Sequence, residues 1–191
     1  MMALNVFITG RPGVGKTTVL KRAMRLLYEK GYIPGGVFCP EIRSKGRRIG
    51  FAIVDVATSA RGILAHVRQP VGPRISKYRV NLDDVRGVGV AAISQALERA
   101  DYVVIDEVGP MELFSNEFVE AVKRAVEHRK PVLGVIHWRL QHPVISFIKS
   151  RDGTEILTVT EENRDRLHKR VAEKLIRYLS RQPRRPPPPP R

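Results

Sequence analysis

Short apolar runs and longer amphipathic stretches alternate along this chain. Leu4 to Thr9 is an unbroken apolar segment that predicts a buried strand. Val19, Leu20, Ala23, Met24, Leu26 and Leu27 then recur at helical spacing up to Gly31, a natural stop. Gly31 to Pro40 is rich in turn residues, with Pro34, Gly35 and Gly36. Val37 to Arg43 and Arg48 to Ala57 read as strands joined by the polar Ser44-Lys45-Gly46-Arg47, which predicts a β-hairpin. Residues 62–76 carry Ile63, Leu64, Ala65 and Val67 but are broken by Pro70, Gly72 and Pro73, so a mobile surface loop is expected there. A strand end at Tyr78 to Asn81 leads into a helix opening at Leu82-Asp83-Asp84. That helix directs Val88, Val90, Ala91, Ile93, Ala96 and Leu97 inward, with Gly87 and Gly89 weakening its first turn.

Tyr102 to Glu107 is a continuous apolar run ending in two acids, the pattern of a strand covered on both faces in a parallel sheet. Ser115 is the expected N-cap of a helix through Arg129, with Phe118, Val119, Val122, Ala125 and Val126 on its inner face. Pro131 to Ile136 and Glu155 to Val159 supply two more strands. A last helix from about Glu161 to Leu179 has Leu167, Val171, Leu175, Ile176 and Leu179 as its stripe. Strands alternating with helices predict an α/β fold, doubly wound around a mostly parallel sheet, as a single domain over residues 1–180. Residues 181–191, Arg-Gln-Pro-Arg-Arg-Pro-Pro-Pro-Pro-Pro-Arg, have no means of building a core and are expected to be a disordered tail.

Composition narrows the class. An apolar content of 42% suits a globular domain, and no apolar run is long enough to span a bilayer, so no membrane role is expected. A single cysteine, Cys39, excludes an internal disulfide and fits a reducing, cytoplasmic setting. A monomer is the default. The net charge is +15; removing the four arginines from Arg181 onward leaves +11 for residues 1–180, so the domain itself is basic. That suits phosphate-rich ligands. No basic motif is interleaved with aromatics, so nucleic acid is a possible partner rather than the primary one.

The first apolar segment runs directly into Gly10-Arg11-Pro12-Gly13-Val14-Gly15-Lys16-Thr17, which satisfies G-x-x-x-x-G-K-[ST] at every fixed position. Strand, glycine turn and helix start are what a phosphate cradle needs: backbone N–H groups converge on phosphate oxygens, and the helix N-terminus adds positive potential. In that pattern Lys16 reaches the β- and γ-phosphates and Thr17 ligates Mg²⁺. The acids closing the Val103-Val104-Ile105-Asp106-Glu107-Val108-Gly109-Pro110 block complete the expectation. An acid on a neighbouring parallel strand, Asp106, holds Mg²⁺ through water, and Glu107 accepts a proton from an attacking water or orients it. Glu112 reads as a solvated loop acid. Arg43, Arg47, Arg48, Arg139 and Arg164 are candidates to offset phosphoryl charge, while Arg11 faces solvent or the base. His137 and His142 lack a third partner for a metal site, and nothing resembles a Cys/His cluster or a Ser/His/Asp triad.

Four blocks together, G-R-P-G-V-G-K-T (10–17), E-I-R-S-K-G-R-R-I-G-F (41–51), V-V-I-D-E-V-G-P-M-E-L (103–113) and T-E-E-N-R (160–164), resemble the thermophile and archaeal nucleoside-triphosphatase family. That family includes the cancer-related nucleoside-triphosphatase of higher organisms, and the likeness runs from about Asn5 to Leu179. It implies a RecA-like phosphate-loop fold and slow, Mg²⁺-dependent hydrolysis of ATP, GTP, CTP and UTP or TTP with little base selectivity. It also implies nucleotide contacts at Gly10–Thr17 and Val103–Pro110, Glu107 as the water-activating residue and Arg43 and Arg48 as accessory positions. Two other readings stay open. A small nucleotide or polynucleotide kinase would use the arginine-rich 61–78 segment as a lid; a nucleotide-dependent RNA-binding switch would use the basic domain and tail.

Overall fold

A computed structural model describes residues 3–183. Among these, ten strands form one sheet in the order β10-β1-β9-β8-β2-β4-β5-β7-β6, with β3 paired to β4. In chain order the elements are β1 (Asn5–Thr9), α1 (Lys16–Glu29), β2 (Pro34–Phe38), β3 (Glu41–Ser44), β4 (Arg47–Asp55), β5 (Arg61–His66), β6 (Arg74–Ile75) and β7 (Tyr78–Val80). There follow α2 (Leu82–Asp84), a π-helical turn (Val85–Val90), α3 (Ala91–Arg99), β8 (Tyr102–Val108), α4 (Asn116–Glu127), β9 (Val132–Ile136), α5 (Pro143–Ser150), β10 (Thr154–Thr158) and α6 (Leu167–Leu179). The strands from β10 to β2 are parallel, and β3 to β7 extend the sheet by antiparallel pairing. The fold is therefore mixed α/β and doubly wound. Alternate residues of the parallel strands feed two cores: Val6, Ile8, Tyr102 and Val104 pack under α1 and α6, while Phe7, Val103 and Ile105 pack under α3, α4 and α5.

Several boundaries differ from the sequence expectation. Pro34–Phe38 is a parallel core strand, not a turn, because its glycines permit close approach: a Cβ on Gly36 (φ +116°) would lie 2.1 Å from the Val104 carbonyl oxygen. The expected 62–76 loop is instead β5 and β6 with a short connection; Leu64 and Ala65 are buried because β4 and β7 flank them. Helix α5 was not foreseen, although Pro143 stands in its first turn and the His142 imidazole accepts the Val144 N–H. Helix α6 starts at Leu167 rather than near Glu161, after a turn in which Asn163 binds the Thr160 N–H and the Thr158 carbonyl. Ser115 does cap α4, accepting the Phe118 N–H. Most of the expected disordered tail, residues 184–191, lies outside the described residues.

Candidate active site

Strand β1 delivers the chain to Gly10 at the carboxyl edge of the sheet. With φ at +150° and its absent Cβ 2.8 Å from the Val159 carbonyl oxygen, this position accommodates only glycine. Gly13 and Gly15 also adopt positive φ, at +77° and +111°, so the loop curls before α1 begins at Lys16. Gly15 caps α1 without a side chain, and no acid stands in the first turn. The first-turn N–H groups are thus left for an anion, reinforced by the helix dipole. Lys16 arches back across the loop, its Nζ donating to the carbonyls of Gly10 (3.1 Å) and Arg11 (3.2 Å).

β8 carries the acids. It is separated from β1 by β9, rather than adjoining it as expected, yet Asp106 still meets the loop: the Thr17 hydroxyl donates to Asp106 Oδ1 at 3.4 Å. Asp106 is only 6% exposed. Burial, then the neighbouring Glu107 carboxylate, push its pKa up to about 7 against the opposing pull of Thr17, Lys21 and Lys16. Such a set, a hydroxyl and a carboxylate short of positive charge, is hard and oxygen-only, and it suits Mg²⁺, which takes few protein ligands beside substrate phosphates. Glu107 is half-buried and lines the same cleft, of about 810 Å³, as Pro12, Gly13, Gly15, Lys16 and Thr17. Val103, Val104, Ile105 and Val108 are fully buried core residues whose side chains do not line it; from the 103–110 block, Asp106, Glu107, Gly109 and Pro110 do.

Beyond Gly109 a 3₁₀ turn over Glu112–Phe114 folds Glu112 into the protein, where it is 4% exposed. It is no solvated loop acid. Burial, with the charge of Glu107, pushes its pKa up to about 8, though its own backbone N–H and the Cys39 thiol oppose the shift. The Cys39 thiol is in turn pushed well up by burial and by Glu112 and Asp106. The arginine candidates disperse. Arg43 and Arg48 both pair with Glu41 (2.7 and 2.8 Å), Arg48 facing the cleft, and Arg47 is exposed. Arg164 lies beside Gly15, its Cδ 3.9 Å from where a Cβ would be. Arg139 stacks on Trp138 at 4.2 Å, and Arg11 stands 5.9 Å from that ring. His137 lines the cleft, whereas His142 is spent on capping α5, and among the described residues no three metal-ligating side chains cluster. Lys21, Phe38, Cys39 and Trp138 are cleft residues missed in the sequence. Lys21 alone had a signal, since it follows Thr17 by one helical turn and shares its face.

A family model described as NTPase matches residues 5–172. The chain belongs to this family. Among curated relatives, the nucleoside-triphosphatase THEP1 of Methanosarcina acetivorans is 47% identical over 92% of this chain and 99% of its own length. That of Methanopyrus kandleri is 45% identical over 93% and 98%. The NTPase fold recurs in the crystal structure of THEP1 from Aquifex aeolicus (TM-score 0.78, 28% identity, 90% of this chain and 99% of that one). It recurs again in the solution structure of a human cancer-related nucleoside triphosphatase (TM-score 0.76, 33% identity, 91% and 97%). The resemblance read from the four sequence blocks is therefore the family relationship.

Proposed function

We propose that this NTPase hydrolyses nucleoside triphosphates to the diphosphate and inorganic phosphate, with Mg²⁺ as cofactor and broad base tolerance across ATP, GTP, CTP and UTP or TTP. The observation carrying this reading is the contact between Thr17 and Asp106, which ties the phosphate loop to the acids of β8 and sets Glu107 in the same cleft. Loop N–H groups and Lys16 bind the phosphate chain, whatever the base. Thr17 and Asp106 would hold Mg²⁺, which when bound withdraws charge from the phosphate oxygens. Glu107 orients a water for in-line attack at the γ-phosphorus and takes up its proton, while Lys16 counters charge on the departing diphosphate. The names of the curated relatives agree with hydrolysis. Among the described residues no helix is long and apolar enough to cross a membrane. A cytoplasmic setting and a monomer complete the proposal, the lone Cys39 being compatible with a reducing compartment.

Phosphate release from the four triphosphates, measured with and without Mg²⁺, tests the proposal. Glu107→Gln is expected to lower kcat by at least ~100-fold, in line with loss of a general base, while a non-hydrolysable analogue still binds. Lys16→Ala is expected to weaken both. Tight analogue binding with no acceptor-free phosphate release by the wild type would refute hydrolysis.

A further inference from the structure

The cleft is longer than the phosphate chain requires. Lys16, Thr17, Asp106 and Glu107 define where a γ-phosphate ends. The nucleoside must then leave the loop in the other direction, toward the 159–166 segment that packs on Gly10 and Gly15. Yet the cleft continues past Glu107, across β2, β4 and β5, where its walls are Phe38, Phe51, Val54, Leu64 and Met111. This outer half is apolar and aromatic, but two cations stand on it. Lys21 reaches over the Phe38 ring at 5.6 Å; its charge is also felt by Asp106, so it stands between the phosphate end and the outer half. Arg48 lies over Phe51 at 5.1 Å and shares the single carboxylate of Glu41 with Arg43, leaving one positive charge in that trio. Four acids line the same cleft, Glu41, Asp106, Glu107 and Glu112; Glu41 is paired with its two arginines, Glu112 is buried, and Asp106 meets Thr17 of the phosphate loop.

We propose that the outer half of the cleft is a second ligand subsite, for a flat apolar small molecule bearing one anionic group, held beyond the γ-phosphate where the attacking water enters. Apolar walls take the ring and Lys21 takes the anion. Such a ligand and a nucleotide are bound together, and the ligand governs access of water to Glu107. The inference rests on the hydrolase reading above. The arginine-rich 61–78 segment, expected as a lid in the kinase reading, is instead β5, β6 and the start of β7, and its Leu64 lines the subsite.

The probe is 8-anilinonaphthalene-1-sulfonate, an apolar aromatic monoanion whose planar naphthalene ring carries the sulfonate. Its fluorescence is expected to rise with one-site stoichiometry, and to remain when adenylyl imidodiphosphate and Mg²⁺ saturate the phosphate loop. In steady-state hydrolysis of ATP the saturating probe lowers kcat at least fivefold and leaves KM within twofold. Lys21→Ala weakens probe binding at least tenfold. Val54→Glu, which plants a carboxylate in the half-buried wall without disturbing the core, removes probe binding and inhibition while basal phosphate release stays within twofold of wild type. Competition between probe and analogue, a rise in KM at constant kcat, absence of probe binding, or binding indifferent to both substitutions would each overturn the subsite. Failure of the hydrolase reading is separately visible as absence of phosphate release before any probe is added.

Discussion

At the scale of single residues, burial decides which acids matter. Glu112 has a folded-state pKa of about 8, above the ordinary 4.5. Between those values the folded protein keeps a proton that the unfolded chain has released, so stability present at pH 5 is lost as the pH climbs through 8. Asp106, pushed up to about 7, adds to the same fall without metal. The metal-free protein should therefore melt at a higher temperature at pH 5.5 than at pH 8.5. Glu112→Gln, which keeps the shape and removes the titration, should flatten the profile; thermal unfolding followed by circular dichroism at each pH would show it. A profile unaltered by the substitution would place Glu112 in solvent after all. The phosphate-loop residues and both acids of β8 were legible in the sequence, because their spacing is dictated by phosphate geometry. Glu112 and Cys39 were not, since their burial depends on how the 109–114 turn folds over β2.

Among the elements, legibility followed locality. Helix α4 was foreseen from Ser115 and its apolar stripe, and the β3–β4 hairpin from its polar connection, because each is specified by neighbours in sequence. β2 was misread because glycine serves two purposes: it marks turns, and it also lets backbones and helices approach. Here Gly35 lets α3 approach, its absent Cβ 2.8 Å from Ala96 Cβ, and Gly36 lies against β8. Gly36→Ala should accordingly cost about 3 kcal/mol, a combination of overpacking and unfavourable φ. Gly46→Ala, at φ +76° in open space in the hairpin turn, should cost about 1 kcal/mol. Urea unfolding of the two variants provides the comparison, and equal midpoints would contradict the close packing of β2. The same use of glycine recurs in the π-helical turn Val85–Val90, where Gly89 lies so close to Ile53 that an added Cβ would stand 2.6 Å from its Cδ1.

For the whole molecule, charge and sheet architecture set the terms. Surface ion pairs such as Arg22–Asp165, Arg86–Asp83 and Lys174–Glu155 are at least partly exposed, so each contributes little, whereas the +15 net charge repels itself at every ionic strength low enough to leave it unscreened. Raising NaCl from 0.05 to 0.5 M, roughly a threefold shortening of the screening length, should raise the melting temperature. A fall would mean that the surface pairs outweigh the repulsion. The parallel half of the sheet holds the phosphate loop and its acids; the antiparallel half widens the floor beside them. Trp138 lines the cleft beyond β9, with Arg139 on its ring and Arg11 of the phosphate loop close by, and it is the single tryptophan of the chain. All indole emission of the protein therefore originates at one spot, and unlabelled protein carries a built-in optical reporter for movement of the loop that receives the nucleotide.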